Sequence, residues 1–189
     1  VTGVATVTVS GELGLARVTA SGETTARYTA LKMGNVTVSA STASAGDFGL
    51  SGTLTIDSLN INNAAVGHAR LDWAKAFDLD GNGTKDILDP GAALPTPATL
   101  AIDYAGSLQL AVAGSVTGTP LITAGPVTVG GTAEFALTRR TIDVDSDGNG
   151  TADLLGATLD GIALGVTNAS VVVTGVATVT VSGELGLAR

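Results

Sequence analysis

Cysteine is absent from the 189 residues, so no disulfide staples the fold. This argues against a small secreted eukaryotic module and leaves bacterial extracellular proteins open. Aromatic residues are scarce, 3% of the chain with one Trp, two Tyr and three Phe. The core must therefore be built from small and β-branched side chains rather than around aromatic anchors. Basic residues are also few. Nine Lys and Arg face 17 Asp and Glu, for a net charge of −8 and a pI near 4.3. A nucleic-acid partner requires a basic stripe that displaces counterions, and there is none. No uninterrupted apolar run approaches the ~20 residues of a membrane-spanning helix, so no membrane insertion is expected. There is no signal peptide. That carries no information if the chain is a segment from the interior of a longer one, as its repeat structure leads us to expect.

What is present is 44% hydrophobic residues, mostly Val, Ala, Leu and Ile, with 26 glycines. Val and Thr favour strands, and Gly supplies turns. Period-two alternation recurs in Ala5–Ser10, Asn35–Ser39, Thr53–Asp57, Ser107–Val112 and Pro126–Val129. These segments read as half-buried strands with Thr and Ser on the wetter face. No stretch forms a convincing amphipathic helix. The nearest is 62–77, where Gly67 weakens the pattern and the residues also read as a strand entering a loop.

Residues 1–17 and 173–189 are the same string, VTGVATVTVSGELGLAR, spaced 172 residues apart. Seventeen consecutive identities do not arise by chance. Residues 1–172 are thus one period of a tandem array, divisible into two subunits with one acidic loop each, and 173–189 begin the next copy. Weaker internal similarity links Glu134–Arg140 to Glu12–Arg17 and Leu164–Val171 to Leu31–Val38. Ser39–Gly46 and Pro90–Pro97 are the best loop stretches, and neither is a long polar linker. The junction, Ser170–Val179, is strand-like on both sides, as a continuous β architecture requires.

One constellation carries chemistry, and it occurs twice. Asp78-Leu-Asp80-Gly-Asn82-Gly-Thr84-Lys-Asp86 aligns with Asp145-Ser-Asp147-Gly-Asn149-Gly-Thr151-Ala-Asp153. Oxygen donors at positions one, three and five face one small loop. Glycine at six permits the sharp turn, position seven can offer its carbonyl, and Asp at nine closes the shell. Calcium takes six to eight oxygens, and this spacing supplies them. Position twelve is Asp89 in the first loop and Gly156 in the second, not the Glu of a full EF-hand. A register starting at Asp143 fits the second loop alone, which leaves Asp143 as an outer ligand. The bland alternative is a pair of Asx-turn, glycine-rich hairpins with no metal.

These loops resemble the calcium loops of thrombospondin type 3 repeats, dockerins and integrin-type FG-GAP blades. The whole chain resembles the Gly/Val/Thr-rich, cysteine-free tandem repeats of giant bacterial surface proteins and adhesins. The resemblance implies an extracellular or cell-surface location, bound Ca2+ and adjacent copies of the repeat as partners.

Outside the loops, His68 is the only histidine and reads as a surface or strand residue. Trp73, Phe77, Phe135 and Leu137 read as core anchors under the loops rather than as carbohydrate-stacking groups. Glu12, Glu23, Glu134 and Glu184 are the only glutamates, and no free carboxylate pair stands out for glycoside hydrolysis. The chain is expected to be no enzyme. The expected fold is all-β: an elongated, continuous structure, solenoid-like or of stacked long-stranded sheets, with tandem β-sandwich modules as the alternative. The expected function is that of a structural repeat in a calcium-stabilised filament, sheath or stalk. The alternative is an adhesin module that binds glycan or another surface through a flat face with ranks of Thr.

Overall fold

The computed structural model describes residues 5–42, 48–124 and 126–189. Its strands are β1 (Ala5–Val18), β2 (Tyr28–Thr42), β3 (Phe48–Ala64), β4 (Leu108–Ala124), β5 (Val127–Val144), β6 (Leu154–Val173) and β7 (Ala177–Ala188). All seven form one sheet in sequence order, with each neighbouring pair antiparallel. The all-β class expected from the alternation is what forms, and the five alternating segments fall in strands except for their first residues Ser107 and Pro126, which lie in turns. The strands are long as anticipated, but they lie in a single open meander rather than in stacked sheets or a sandwich. The longest, β6, has 20 residues and spans roughly 66 Å at about 3.3 Å per residue. Ser39–Thr42, read as loop, continues β2, while 43–46 of that stretch lie outside the described residues. Among the described residues no helix is long and apolar enough to cross a membrane.

Cross-strand partners share a face, so the register defines two surfaces. Leu13, Met33, Leu59, Val112, Leu137, Ile162 and Leu187 form one row across all seven strands. The opposite face of the same region carries Ala16, Ala30 and Asn62 in register. These small side chains leave room for a second layer.

The β3–β4 connection, residues 65–107, supplies that layer. It contains a single helical turn, α1 (Trp73–Ala76), and a 3₁₀ turn at Pro90–Ala93. Thus the 62–77 stretch divides between the end of β3 and this one turn. Trp73, Ile102, Tyr104 and Leu108 pack with Ala16 and Ala30 as the core, flanked by Leu71, Phe77 and Leu88. Two of the few aromatics thus do anchor it, against the expectation of a core without aromatic anchors: the small side chains of the sheet leave the space that these rings fill. Asn62, fully buried in the sheet, is the fastener. Its Oδ1 accepts from Trp73 Nε1 at 2.9 Å, and its Nδ2 donates to the carbonyls of Leu71 (3.0 Å) and Ala105 (3.3 Å). The Tyr104 hydroxyl donates to the Leu31 carbonyl at 3.0 Å, and burial raises its pKa well above the ordinary phenol value. Trp73 is therefore a core residue and Phe77 packs against it next to the first acidic loop, as expected, with ring centroids 5.5 Å apart. Phe135 and Leu137, expected as anchors under the second loop, are instead half-buried strand residues outside this core.

Candidate metal loops

Both acidic loops lie at the same end of the sheet. β3 runs up to Ala64 and β4 restarts at Leu108. β5 runs up to Val144 and β6 restarts at Leu154. The first loop sits within the β3–β4 connection, and the second is the tip of the β5–β6 hairpin. The two are closed by the same backbone bond despite these different settings. Asp86 donates its N–H to the Phe77 carbonyl at 2.9 Å, and Asp153 donates to the Val144 carbonyl at 3.0 Å.

Inside, the hydrogen bonding repeats position by position. The first Asp accepts from the glycine at position six, Gly83 to Asp78 at 2.9 Å and Gly150 to Asp145 at 2.6 Å. The second Asp accepts from the Asn N–H at position five, at 3.1 Å in both loops. The Asn side-chain oxygen accepts from the Thr N–H, at 2.7 Å for Thr84 and 2.8 Å for Thr151. The last Asp accepts from the N–H at position two, Leu79 to Asp86 at 2.6 Å and Ser146 to Asp153 at 3.1 Å. Glycines at positions four and six have φ between 74° and 90° in both loops, a region that costs a side-chain-bearing residue energy. This is why G-N-G recurs.

The donor sets differ in closure. In the first loop, Asp78, Asp80 and Asp86 each bring a carboxylate oxygen to within 4.8 Å of the other two. That is close to the span of three oxygens bound at about 2.3–2.6 Å to one calcium ion. With Asn82 and Thr84 in the same turn, these residues fit a hard cation. Among the described residues that three-carboxylate convergence is found in the first loop. In the second, Asp153 is also tied to the Ser146 hydroxyl at 2.6 Å. The Ser146 hydroxyl is the main cause holding the Asp153 carboxyl below its usual pKa, and the Gly150 N–H does the same for Asp145. Donors aimed at the ionised form stabilise it. Asp145, Asp147, Asn149, Thr151 and Asp153 keep the loop's shape, with part of its negative charge answered by the chain itself.

Two acidic residues beside the loops have local duties. Asp89, at position twelve of the first, accepts from Gly91 (3.0 Å) and Leu100 (2.9 Å) and so caps the 3₁₀ turn. Asp143 accepts from Gly156 at 2.7 Å, which engages it in the hairpin neck rather than in the loop.

The sheet register also assembles groups that are far apart in sequence. Glu134, Gly165 and Glu184 are successive cross-strand partners. Glu134 and Glu184 line one open groove of about 590 Å³ with Asp57, Phe135, Leu164 and Leu185. Three acidic residues thus line one groove where the sequence showed no pair. Likewise Thr8, Ser39, Thr53, Thr117, Thr132 and Thr167 are partners in turn across β1–β6. The alternation on each strand signalled a polar face. Only the pairing order could show that these six hydroxyls stand in one row. His68 is exposed, near Tyr28 with ring centroids 6.3 Å apart. No family model matches this chain, and neither any curated protein nor any solved structure matches it.

Proposed function

We propose that this chain is a structural repeat of a calcium-stabilised extracellular filament, sheath or stalk-like surface protein, and that it is not an enzyme. One observation carries the reading: the duplicated segment forms both edges of one sheet. Ala5–Ala16 of β1 recur 172 positions later as the whole of β7, Ala177–Ala188, and the two strands stand at opposite ends of the strand order. A sheet that begins and ends on the same strand is a unit for tandem repetition, with adjacent copies as its partners. The groups that carry chemistry lie on exposed loops and in an open groove, not in an enclosed cleft.

Calcium is the proposed ligand of both loops, held by Asp78, Asp80, Asn82, Thr84 and Asp86 in one and by Asp145, Asp147, Asn149, Thr151 and Asp153 in the other. The ion would supply charge compensation rather than reactivity. Binding the folded form alone adds ~1–3 kcal/mol per site at modest saturation, and millimolar extracellular calcium suits loops of this kind. Electron microscopy of the native assembly, with calcium and with chelator, tests the reading. Fibres or stalks that loosen on chelation are expected. Isolated globules in both conditions would overturn it.

The row of six hydroxyls favours a second reading, a surface that binds glycan or another cell. Two of its neighbouring pairs are already hydrogen-bonded to each other, Ser39 to Thr53 at 3.2 Å and Thr117 to Thr132 at 2.6 Å. Saturable binding on a glycan array, lost on Thr117→Val, would place this reading first.

A further inference from the structure

We infer that the duplicated strand is shared: in joined copies it hydrogen-bonds to β6 of one copy with one edge and to β2 of the next with the other, making a single unbroken sheet. The inference rests on the tandem reading above and names its partner as a second copy of this chain.

The backbone directions support it. In an antiparallel strand, successive residues aim their N–H and C=O groups to opposite edges. At one edge of the sheet, Val18 accepts from Arg27 at 2.8 Å, so its carbonyl points towards β2. By alternation Ala16 and Gly14 also point to β2, while Arg17, Leu15 and Leu13 point outward. At the other edge, Arg189 and Asp160 exchange both backbone bonds, at 2.8 and 2.7 Å. Leu187 and Leu185 therefore point to β6, while Ala188 and Gly186 point outward. Arg189, Leu187 and Leu185 are the counterparts of Arg17, Leu15 and Leu13. The set that is unpaired in β1 is thus the set that pairs in β7, and the reverse holds as well. One strand can serve both neighbours at once with no bond in competition.

The faces agree too. The row that starts at Leu13 ends at Leu187, whose counterpart is Leu15. Each copy therefore advances by two residues along the strand. An even stagger keeps every side chain on its face, whereas an odd one would exchange the leucine and alanine surfaces. Charge is matched as well. Asp160 lies opposite Arg189, and Arg139 grips it through two bonds of 2.6 and 2.9 Å. Arg17 at the outer edge of β1 is exposed and would meet the Asp160 of the preceding copy in the same way. Steric fit supplies a fourth observation. Gly11 in β1 has φ +142°, and a Cβ there would lie 2.6 Å from the Val36 Cα. Its counterpart Gly183 has nothing within 4 Å, because β7 has no β2 beside it. Each joined copy would add six strands, roughly 29 Å of sheet at about 4.8 Å per strand.

Hydrogen exchange tests this on two proteins: the 189-residue chain, and the same chain continued through residues 18–172 of a second copy. In the first, the amides of Leu185 and Leu187 should exchange slowly and those of Gly186 and Ala188 fast. In the second, all four should be slow, with Gly186 and Ala188 slowed on the order of a hundredfold or more. If Gly186 and Ala188 keep their single-copy rates, the copies are separate modules and the inference fails. Gly183→Ala gives an independent readout. It should leave the Tm of the single chain unchanged and lower that of the two-copy chain by several degrees. An equal effect in both chains would also overturn the inference. A shared strand can build a short stalk as well as a long fibre, so microscopy that shows no filament would defeat the proposed function without touching these results.

Discussion

Replacing Asn62 with alanine should detach the capping layer from the sheet. The substitution removes one side chain, orphans the buried Trp73 indole N–H and takes the Asn62 donor from the carbonyls of half-buried Leu71 and of Ala105, the latter keeping the Leu108 N–H. Trp73 and Asn62 are both at 0% exposure, so water does not replace the lost bonds without an opening of the layer. An orphaned buried polar group costs about 1–3 kcal/mol, and relaxation recovers part of it. The expected loss is about 3–4 kcal/mol, or ~10 °C in Tm for a chain of this size. Trp73 is the only tryptophan, so its fluorescence during a urea titration reports this layer alone, while far-UV circular dichroism reports the strands. The indole emission should shift red at lower urea than in the unsubstituted protein. Calcium affinity at the first loop should fall, because Phe77 leads from the same packed turn into Asp78. The second loop, which stands on the β5–β6 hairpin, should be unaffected. A loss below about 1 kcal/mol with unchanged Trp73 emission would refute the view that Asn62 fastens the layer.

Calcium titration should raise the Tm and excess chelator should lower it, with Asp80→Ala and Asp147→Ala each removing part of the gain. A melting curve indifferent to chelator would leave the loops as turns without metal. Acid should act through Asp145, Asp153 and Asp160, whose carboxyls are held below their ordinary values first by the Gly150 N–H, the Ser146 hydroxyl and the Arg139 guanidinium respectively. Depressed folded-state values add stability above the unfolded carboxylate pKa of about 3.9, and that stability is lost as pH falls through the lower folded values. Tm should thus be flat from pH 8 to 5 on their account and fall below about pH 4. An acid slope in Asp153→Asn equal to that of the unsubstituted chain would contradict this. Gly131→Ala should cost about 1–3 kcal/mol, since φ is +139° and the new Cβ would lie 2.7 Å from the Ala169 Cα. Denaturant unfolding measures it, and a neutral result would show that the β5–β6 bulge yields freely.

The sequence alone determined the all-β class, the 17-residue duplication and the two acidic loops, because each is a local property. Alternation of Val with Thr sets strand character residue by residue. The G-N-G of each acidic loop sets its turn through backbone φ, and Asp and Asn bond to amides a few positions away. A 17-residue identity is read without any geometry. Tertiary structure alone decided that the strands form one meander, that residues 65–107 fold onto the alanine face, and that Asn62 secures Trp73. It also decided which distant residues become neighbours: Thr8 with Ser39 and onward to Thr167, or Glu134 in one groove with Glu184. Asp89, at position twelve of the first loop, and Asp143, read as an outer ligand of the second, are taken up by nearby amides whose positions depend on the packed turns. The reason is that strand pairing couples residues by register, and a register is fixed by bulges, turn lengths and face burial acting together across the sheet. The duplicated strand shows both sides of this division. Its identity is written in the chain, but that its two copies bond through complementary edges follows only from where the sheet places them.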